Sequence, residues 1–199
     1  MFNPLNLRNI VQIAYYVNDV EAAARKAHTH FGTGPFYIHK NIELVDVTYR
    51  GQKATLDHTS AYAQAGPIML EYTQQNNDGP SAFTDMYPDG QEGIHHVAIF
   101  VDNMVAAMRH LNAKDCATVT HYFTRAGNVE VAFVDTRSIL GHMVELYQPV
   151  AVLTGFYDTV ARAAQTWDGK ELFRYINEPA FSSCSAGRLP AGTKPNMRP

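Results

Sequence analysis

The sequence predicts an α+β fold made of two tandem strand–helix–three-strand modules, followed by a helical extension. Two internal correspondences carry that prediction. Residues 11–19 (VQIAYYVND) and 95–103 (HHVAIFVDN) align residue for residue, so that Gln12 falls under His96, Ala14 under Ala98 and Val17 under Val101. A second pair closes each copy, residues 67–72 (PIMLEY) and 141–147 (GHMVELY), and here Glu71 falls under Glu145. Repeated supersecondary units usually bury their open faces against each other. A chain of 199 residues is long enough for two of them.

The first module covers residues 8–75. As a strand, residues 10–17 put Gln12, Ala14 and Tyr16 on one face and Ile13, Tyr15 and Val17 on the other. Asn18 or Asp19 can cap the alanine-rich helix of residues 20–31. The GTGP of residues 32–35 stops it. Residues 36–39, 42–49 and 53–62 have strand character, with Gly51 at the reversal. Residues 68–73 close the unit and align Met69, Glu71 and Thr73 on one face. A carboxylate among such apolar neighbours either faces solvent or must be paired or bound to a metal, because burying it alone is costly.

Residues 76–93 are a polar, turn-forming linker in which residues 81–87 read as a short helical or extended piece at the rim of a pocket. The second module covers residues 94–148. Its first strand runs over residues 94–101. A helix over residues 104–113 follows and sets Val105, Met108 and Leu111 on one stripe. Strands are predicted over residues 116–122, 128–135 and 141–147. His96 shares a face with Ala98 and Phe100, and Glu145 with Met143 and Tyr147; strict alternation turns His95 away. Residues 149–177 form the helical extension. Pro149 opens it, Val152, Phe156, Val160 and Ala163 recur at helical spacing, and Leu172, Phe173, Tyr175 and Ile176 add an apolar patch. Covering the cup, packing on the outer sheet and forming a homodimer interface are the roles open to it. Residues 178–199, rich in Pro, Gly and Ser and containing Cys184, read as an extended or disordered tail.

A net charge of −3 argues against a basic nucleic-acid surface. Two cysteines, Cys116 and Cys184, make neither a disulfide framework nor a cysteine-rich zinc module. No apolar run is long enough for a bilayer and residues 1–9 carry no secretory pattern, so a cytoplasmic protein without membrane partners is expected. If the first and last strands of each module are neighbours, the inward side chains of Gln12, Glu71, His96 and Glu145 converge. One amide oxygen, two carboxylates and one imidazole suit a single divalent ion: Zn, Ni, Co, Mn or Fe. Tyr16, Met69, Phe100, Met143 and Tyr147 would wall the pocket with apolar and aromatic surface. His58, thirteen residues before Glu71, is a candidate to orient substrate or move a proton.

The segments VQIAYYVND, HFGTGPF, GPIMLEYTQ, HHVAIFVDN and GHMVELYQP carry a family resemblance over roughly residues 9–148. The chain resembles the vicinal oxygen chelate superfamily, which includes glyoxalase I, methylmalonyl-CoA epimerase, extradiol dioxygenases and the bleomycin and fosfomycin resistance proteins. The resemblance implies two βαβββ modules forming a cup-shaped mixed sheet around a metal held by Gln12, Glu71, His96 and Glu145. That ligand set is similar to those of glyoxalase I and the epimerases, and less so to the two histidines and one glutamate of extradiol dioxygenases. No basic cluster suits glutathione carboxylates, since Arg50, Lys53, Arg125 and Arg137 are scattered. The implied function is a metal-dependent isomerase, epimerase or lyase that takes a proton next to a carbonyl and stabilises an enediolate or enolate. Glu145 is the first choice of base and Glu71 its partner. The substrate would be a small molecule with a carbonyl or vicinal oxygens and an apolar or aromatic part. The alternatives are an iron-dependent ring-cleaving or related dioxygenase and a non-catalytic small-molecule binding or resistance protein.

Overall fold

The computed structural model describes residues 10–176; Cys184 and the tail expected over residues 178–199 lie outside the described residues. The first half contains β1 (Ile10–Tyr16), α1 (Val20–Phe31), β2 (Phe36–His39), β3 (Leu44–Tyr49), β4 (Gln52–Lys53), β5 (His58–Ala65) and β6 (Ile68–Gln75). The short helix α2 (Ala82–Met86) lies between the halves. The second half contains β7 (Gly93–Phe100), α3 (Met104–Asn112), β8 (Thr118–Thr124), β9 (Glu130–Val134), the single turn α4 (Arg137–Leu140) and β10 (Met143–Tyr147). Helix α5 (Ala151–Gln165) and strand β11 (Phe173–Ile176) end the described chain.

The strands form one open mixed sheet in the order β11-β2-β5-β6-β1-β7-β10-β9-β8-β3-β4. The two modules are recognisable in it as β2-β5-β6-β1 and its mirror, β7-β10-β9-β8. Within each, the first and last strands are parallel neighbours, β1 with β6 and β7 with β10. The modules meet where β1 and β7 pair antiparallel.

Equivalent helices support the two halves. The Asp19 side chain accepts from the Ala22 N–H at 2.9 Å, and Asn103 accepts from Ala106 at 2.8 Å, so each side chain satisfies an otherwise orphaned donor of the first turn. Helix α1 buries Val20, Ala24 and Ala27 against Phe36, Ile38, Ala61 and Ala63. Helix α3 buries Met104, Ala107 and Leu111 against Ile99, Ala132, Val134 and Leu146. Two positions of the expected stripe face inward, Leu111 buried and Met108 packed against this cluster, whereas Val105 is 59% exposed and Met104 takes its place from the first helical position.

Two predicted elements differ. Residues 53–62 are not one strand. The chain leaves the sheet after β4, and the β3–β4 hairpin crosses to the other module, where β3 pairs antiparallel with β8. Leu44, Val47 and Tyr49 thereby reach the apolar cluster around Val119, Tyr122 and Phe133, and the edge of β8 gains a partner. The end of the extension is also not helical. Residues 173–176 form β11 parallel to β2, with the Phe36 N–H donating to the Leu172 carbonyl at 2.7 Å. Trp167 packs over Gly34, where any Cβ would collide with the indole. This contact directs the chain back along the first module. No helix among the described residues is long and apolar enough to cross a membrane.

Candidate metal centre

The strand registers explain why four polar side chains meet. Across β6, β1, β7 and β10, one row of neighbours reads Glu71, Ala14, His96, Met143. The adjacent row reads Met69, Gln12, Ala98, Glu145. Exchanging the modules converts one row into the other. Ala14 and Ala98, both fully buried, stand in the middle of the rows and leave space above the seam for the longer side chains. Residues of period two on parallel neighbours share one face, so the convergence follows from register.

Glu71, His96 and Glu145 are all buried, and their candidate ligand atoms lie within 4.8 Å of one another. His96 Nε2 is 3.1 Å from Glu145 Oε2 and 3.5 Å from Glu71 Oε2. Donors about 2.1 Å from a common ion stand roughly 3–4 Å apart. Apart from these contacts within the cluster, His96 Nε2 and Glu145 Oε2 have no hydrogen-bond partner among the described residues, although buried polar atoms nearly always have one. This cluster is geometrically suited to chelate a single divalent metal ion.

Gln12 belongs to the same cluster. Its Nε2 donates to Glu71 Oε2 at 2.5 Å, and its Oε1 accepts from the Tyr157 hydroxyl at 2.5 Å. The carboxamide therefore points its amino group at the cluster. Reversing the amide would present the oxygen there and leave the amino group to donate to the Tyr157 oxygen.

Burial and charge set the protonation pattern of the metal-free cluster. Burial alone would push the His96 imidazole down, but the adjacent Glu145 and Glu71 carboxylates outweigh it and lift it to about 9. Burial also acts to raise Glu71, yet the hydrogen bond and charge of His96 hold its carboxyl below the ordinary range. Glu145 is raised, by burial first and then by the charge of Glu71, despite the attraction of His96. Burial, reinforced by the carboxylates, pushes the phenols of Tyr62, Tyr122, Tyr147 and Tyr157 well up, so these side chains serve as neutral hydrogen-bonding groups.

The cluster forms the polar end of a cavity of about 100 Å³. Its apolar wall includes Tyr62, Phe83, Tyr122, Phe133 and Phe156. No Lys or Arg lines it among the described residues. Of the five expected wall residues, Tyr147 lines the cavity. Tyr16 stacks behind Phe83 and Tyr87. Met69 and Met143 are buried at the far ends of the two ligand rows, and Phe100 contacts Tyr157. These four share the ligand face but are screened from the cavity by side chains from more distant elements, so parity on the ligand strands identified the face and not its covering. His58 does line the cavity. Burial drives its imidazole down to about 4, and its Nδ1 is buried without a hydrogen-bond partner.

Helix α5 covers the cavity, one of the roles open to the extension. Val152 packs against Gly127 at the β8–β9 turn, Val152, Leu153 and Phe156 face inward, and Phe156 meets Tyr62 edge-on at 5.1 Å. Tyr157 then bonds Gln12 directly. The periodicity of Val152, Phe156 and Val160 marked this face, but nothing in it indicated that Tyr157 would touch a ligand-strand residue 145 positions away.

His95 is the clearest correction. Strict alternation turns it away from the site, yet it is fully buried beside His96 and contacts Phe83 and Phe133 at ring-centroid distances of 4.8 and 5.6 Å. The β1–β7 register passes from Ala14↔His96 to Tyr15↔Ile94, so the strand carries a bulge at His95. A bulge inserts one unpaired residue and interrupts the period of two. The linker helix α2 supplies Phe83 to the cavity wall and, through the Ala82 carbonyl, a partner for His95 Nε2 at 2.9 Å.

The model of the Glyoxalase/Bleomycin resistance protein/Dioxygenase superfamily matches residues 11–133. Among solved structures, methylmalonyl-CoA epimerase from Mycobacterium tuberculosis is similar at 18% identity, covering 78% of this chain and 97% of its own, with a TM-score of 0.49. A variant of Streptomyces coelicolor methylmalonyl-CoA epimerase in complex with 2-nitronate-propionyl-CoA is similar at 14% identity, covering 72% and 98%, with a TM-score of 0.44. A hypothetical protein from Bacillus halodurans C-125 is similar at 16% identity, covering 71% and 94%, with a TM-score of 0.49. Comparison with curated proteins finds no match.

Proposed function

Since the chain belongs to the glyoxalase/bleomycin resistance protein/dioxygenase superfamily, also called the vicinal oxygen chelate superfamily, we propose that it is a divalent-metal-dependent isomerase, epimerase or lyase that moves a proton next to a carbonyl. The observation that carries this reading is the pair of buried glutamates facing one another across His96, at one end of a cavity walled largely by aromatic side chains. His96, Glu71, Glu145 and the Gln12 amide oxygen would hold the ion. When bound, such an ion polarises a carbonyl and lowers the cost of charge on its oxygen.

The two glutamates differ in their surroundings. Burial raises the Glu145 carboxyl, whereas the His96 imidazole holds Glu71 below the ordinary range. Glu145 is therefore the stronger base of the two and the candidate base, with Glu71 opposite as the group that holds or returns the proton. His58, neutral because its imidazole is driven to about 4, orients the substrate by hydrogen bonding rather than by charge. A wall of aromatic rings without cationic side chains favours a small neutral substrate with a flat or apolar portion next to its carbonyl.

Metal content of the purified protein, followed by proton exchange in D₂O with a panel of neutral 2-hydroxyketones, tests this reading. Metal-dependent incorporation of deuterium at the carbon next to the carbonyl, without oxygen uptake, is expected. Bound iron with oxygen uptake during turnover would replace it with a dioxygenase. Tight ligand binding by a protein that takes up no divalent ion would replace it with a binding protein.

A further inference from the structure

The bulged histidine has a bonding pattern that fixes a direction. His95 Nε2 lies 2.9 Å from the Ala82 carbonyl oxygen, and His95 Nδ1 lies 2.8 Å from His96 Nδ1. A carbonyl can only accept, so His95 Nε2 carries the proton. Phe83 and Phe133 pack against the His95 ring, and no carboxylate contacts it among the described residues. A second proton would place an unpaired charge in apolar surroundings, which is costly. His95 Nδ1 is then an acceptor, and the proton between the two rings belongs to His96 Nδ1. The lone pair of a neutral His96 is left on Nε2, the atom that faces Glu71 and Glu145.

We infer that His95 is a positioning residue that fixes His96 as an Nε2 metal ligand, through a chain running from the Ala82 carbonyl through His95 Nε2–H and Nδ1 to His96 Nδ1–H. The inference rests on the metal-centre reading above. Metal-bound histidines commonly donate their second ring N–H to an acceptor that sets tautomer and ring orientation; here that acceptor is another imidazole.

The backbone is shaped for this arrangement. The bulge brings two consecutive histidines to one face. At its start, the Tyr87 hydroxyl donates to the Ile94 carbonyl at 2.7 Å, and a Cβ on Gly93 would collide with the Tyr87 ring. Helix α2, capped by Ser81, brings the Ala82 carbonyl to the far side of His95. The linker thus holds the ring that holds the ligand.

The test compares His95→Phe, which keeps an aromatic ring but removes both nitrogens, with His95→Gln, which retains one acceptor and one donor. Zn²⁺ affinity is measured by chelator competition on each purified metal-free protein, with thermal unfolding as the control for folding. His95→Phe should weaken zinc binding about 10–100-fold, and His95→Gln should stay within about threefold of the original. Equal affinity of His95→Phe and the original would overturn the role, as would an equal loss in both variants. If His95→Phe does not fold, ¹⁵N-histidine NMR of the zinc-loaded original protein decides. A proton on His96 Nδ1 with zinc on Nε2 supports the chain, and the opposite assignment overturns it. If the original binds no Zn²⁺, Co²⁺, Ni²⁺, Mn²⁺ or Fe²⁺, the metal reading itself falls, an outcome distinct from unaltered binding by the variants.

Discussion

His58 gives the prediction whose size follows most directly from the structure. Its imidazole titrates near 6.5 in an unfolded chain and is driven to about 4 in the fold, first by burial. Between these values the unfolded chain binds a proton that the native protein does not, so native stability falls as pH is lowered. The difference between these two values, at about 1.36 kcal/mol per pH unit, is worth roughly 3 kcal/mol, most of it expressed by pH 4. His58→Asn removes the titration. Urea unfolding of both metal-free proteins from pH 7.5 to pH 4 gives the difference between their stabilities, in which groups common to both cancel. The original protein should lose about 3 kcal/mol relative to the variant over that range. Parallel curves would mean that His58 is solvated or charge-paired when folded, and would remove the neutral hydrogen-bonding role assigned to it.

Four further outcomes follow from the same geometry. Adding zinc at about 100 times its dissociation constant should stabilise the fold by roughly 2.7 kcal/mol, raising Tm by about 5–10 °C, and a chelator should reverse it; an unchanged Tm contradicts a native metal site. Because His96 is lifted to about 9 when metal-free and must lose that proton to ligate, apparent affinity should rise about tenfold per pH unit from pH 6 to pH 8 before levelling near pH 9. Over the same range the metal-free protein should lose stability, since a raised imidazole contributes fully below about 6.5 and loses that contribution as pH rises through about 9; isothermal titration and urea unfolding read the two effects. Tyr157→Phe leaves the buried Gln12 Oε1 without its donor and should cost about 1–3 kcal/mol of stability, measured by urea unfolding; a neutral substitution would show that α5 covers the cavity without fastening it.

The ligand rows were legible in the chain because they depend on short-range rules. Gln12 and Ala14, or Glu145 and Tyr147, share a face through the period of two, and the repeat indicated that such faces come in equivalent pairs. Asp19 and Asn103 were readable as caps for the same local reason. The linker was readable as a rim but not as the support of a histidine. His95 was misplaced because alternation assumes an unbroken ladder, and a bulge is set by how β1 and β7 pair across the module seam. The wall was misassigned for a related reason: Phe83, Tyr122, Phe133 and Phe156 come from elements that the ligand strands do not predict.

Local periodicity, capping and internal repetition therefore established the two modules and the residues that could become ligands. Contacts between residues far apart in sequence decided the remainder: the β3–β4 hairpin on β8, α5 over the cavity, Tyr157 on Gln12 and His95 behind His96. These contacts depend on which apolar faces find each other after the modules dock, and register and packing at those meetings leave no signature in the spacing of either segment alone.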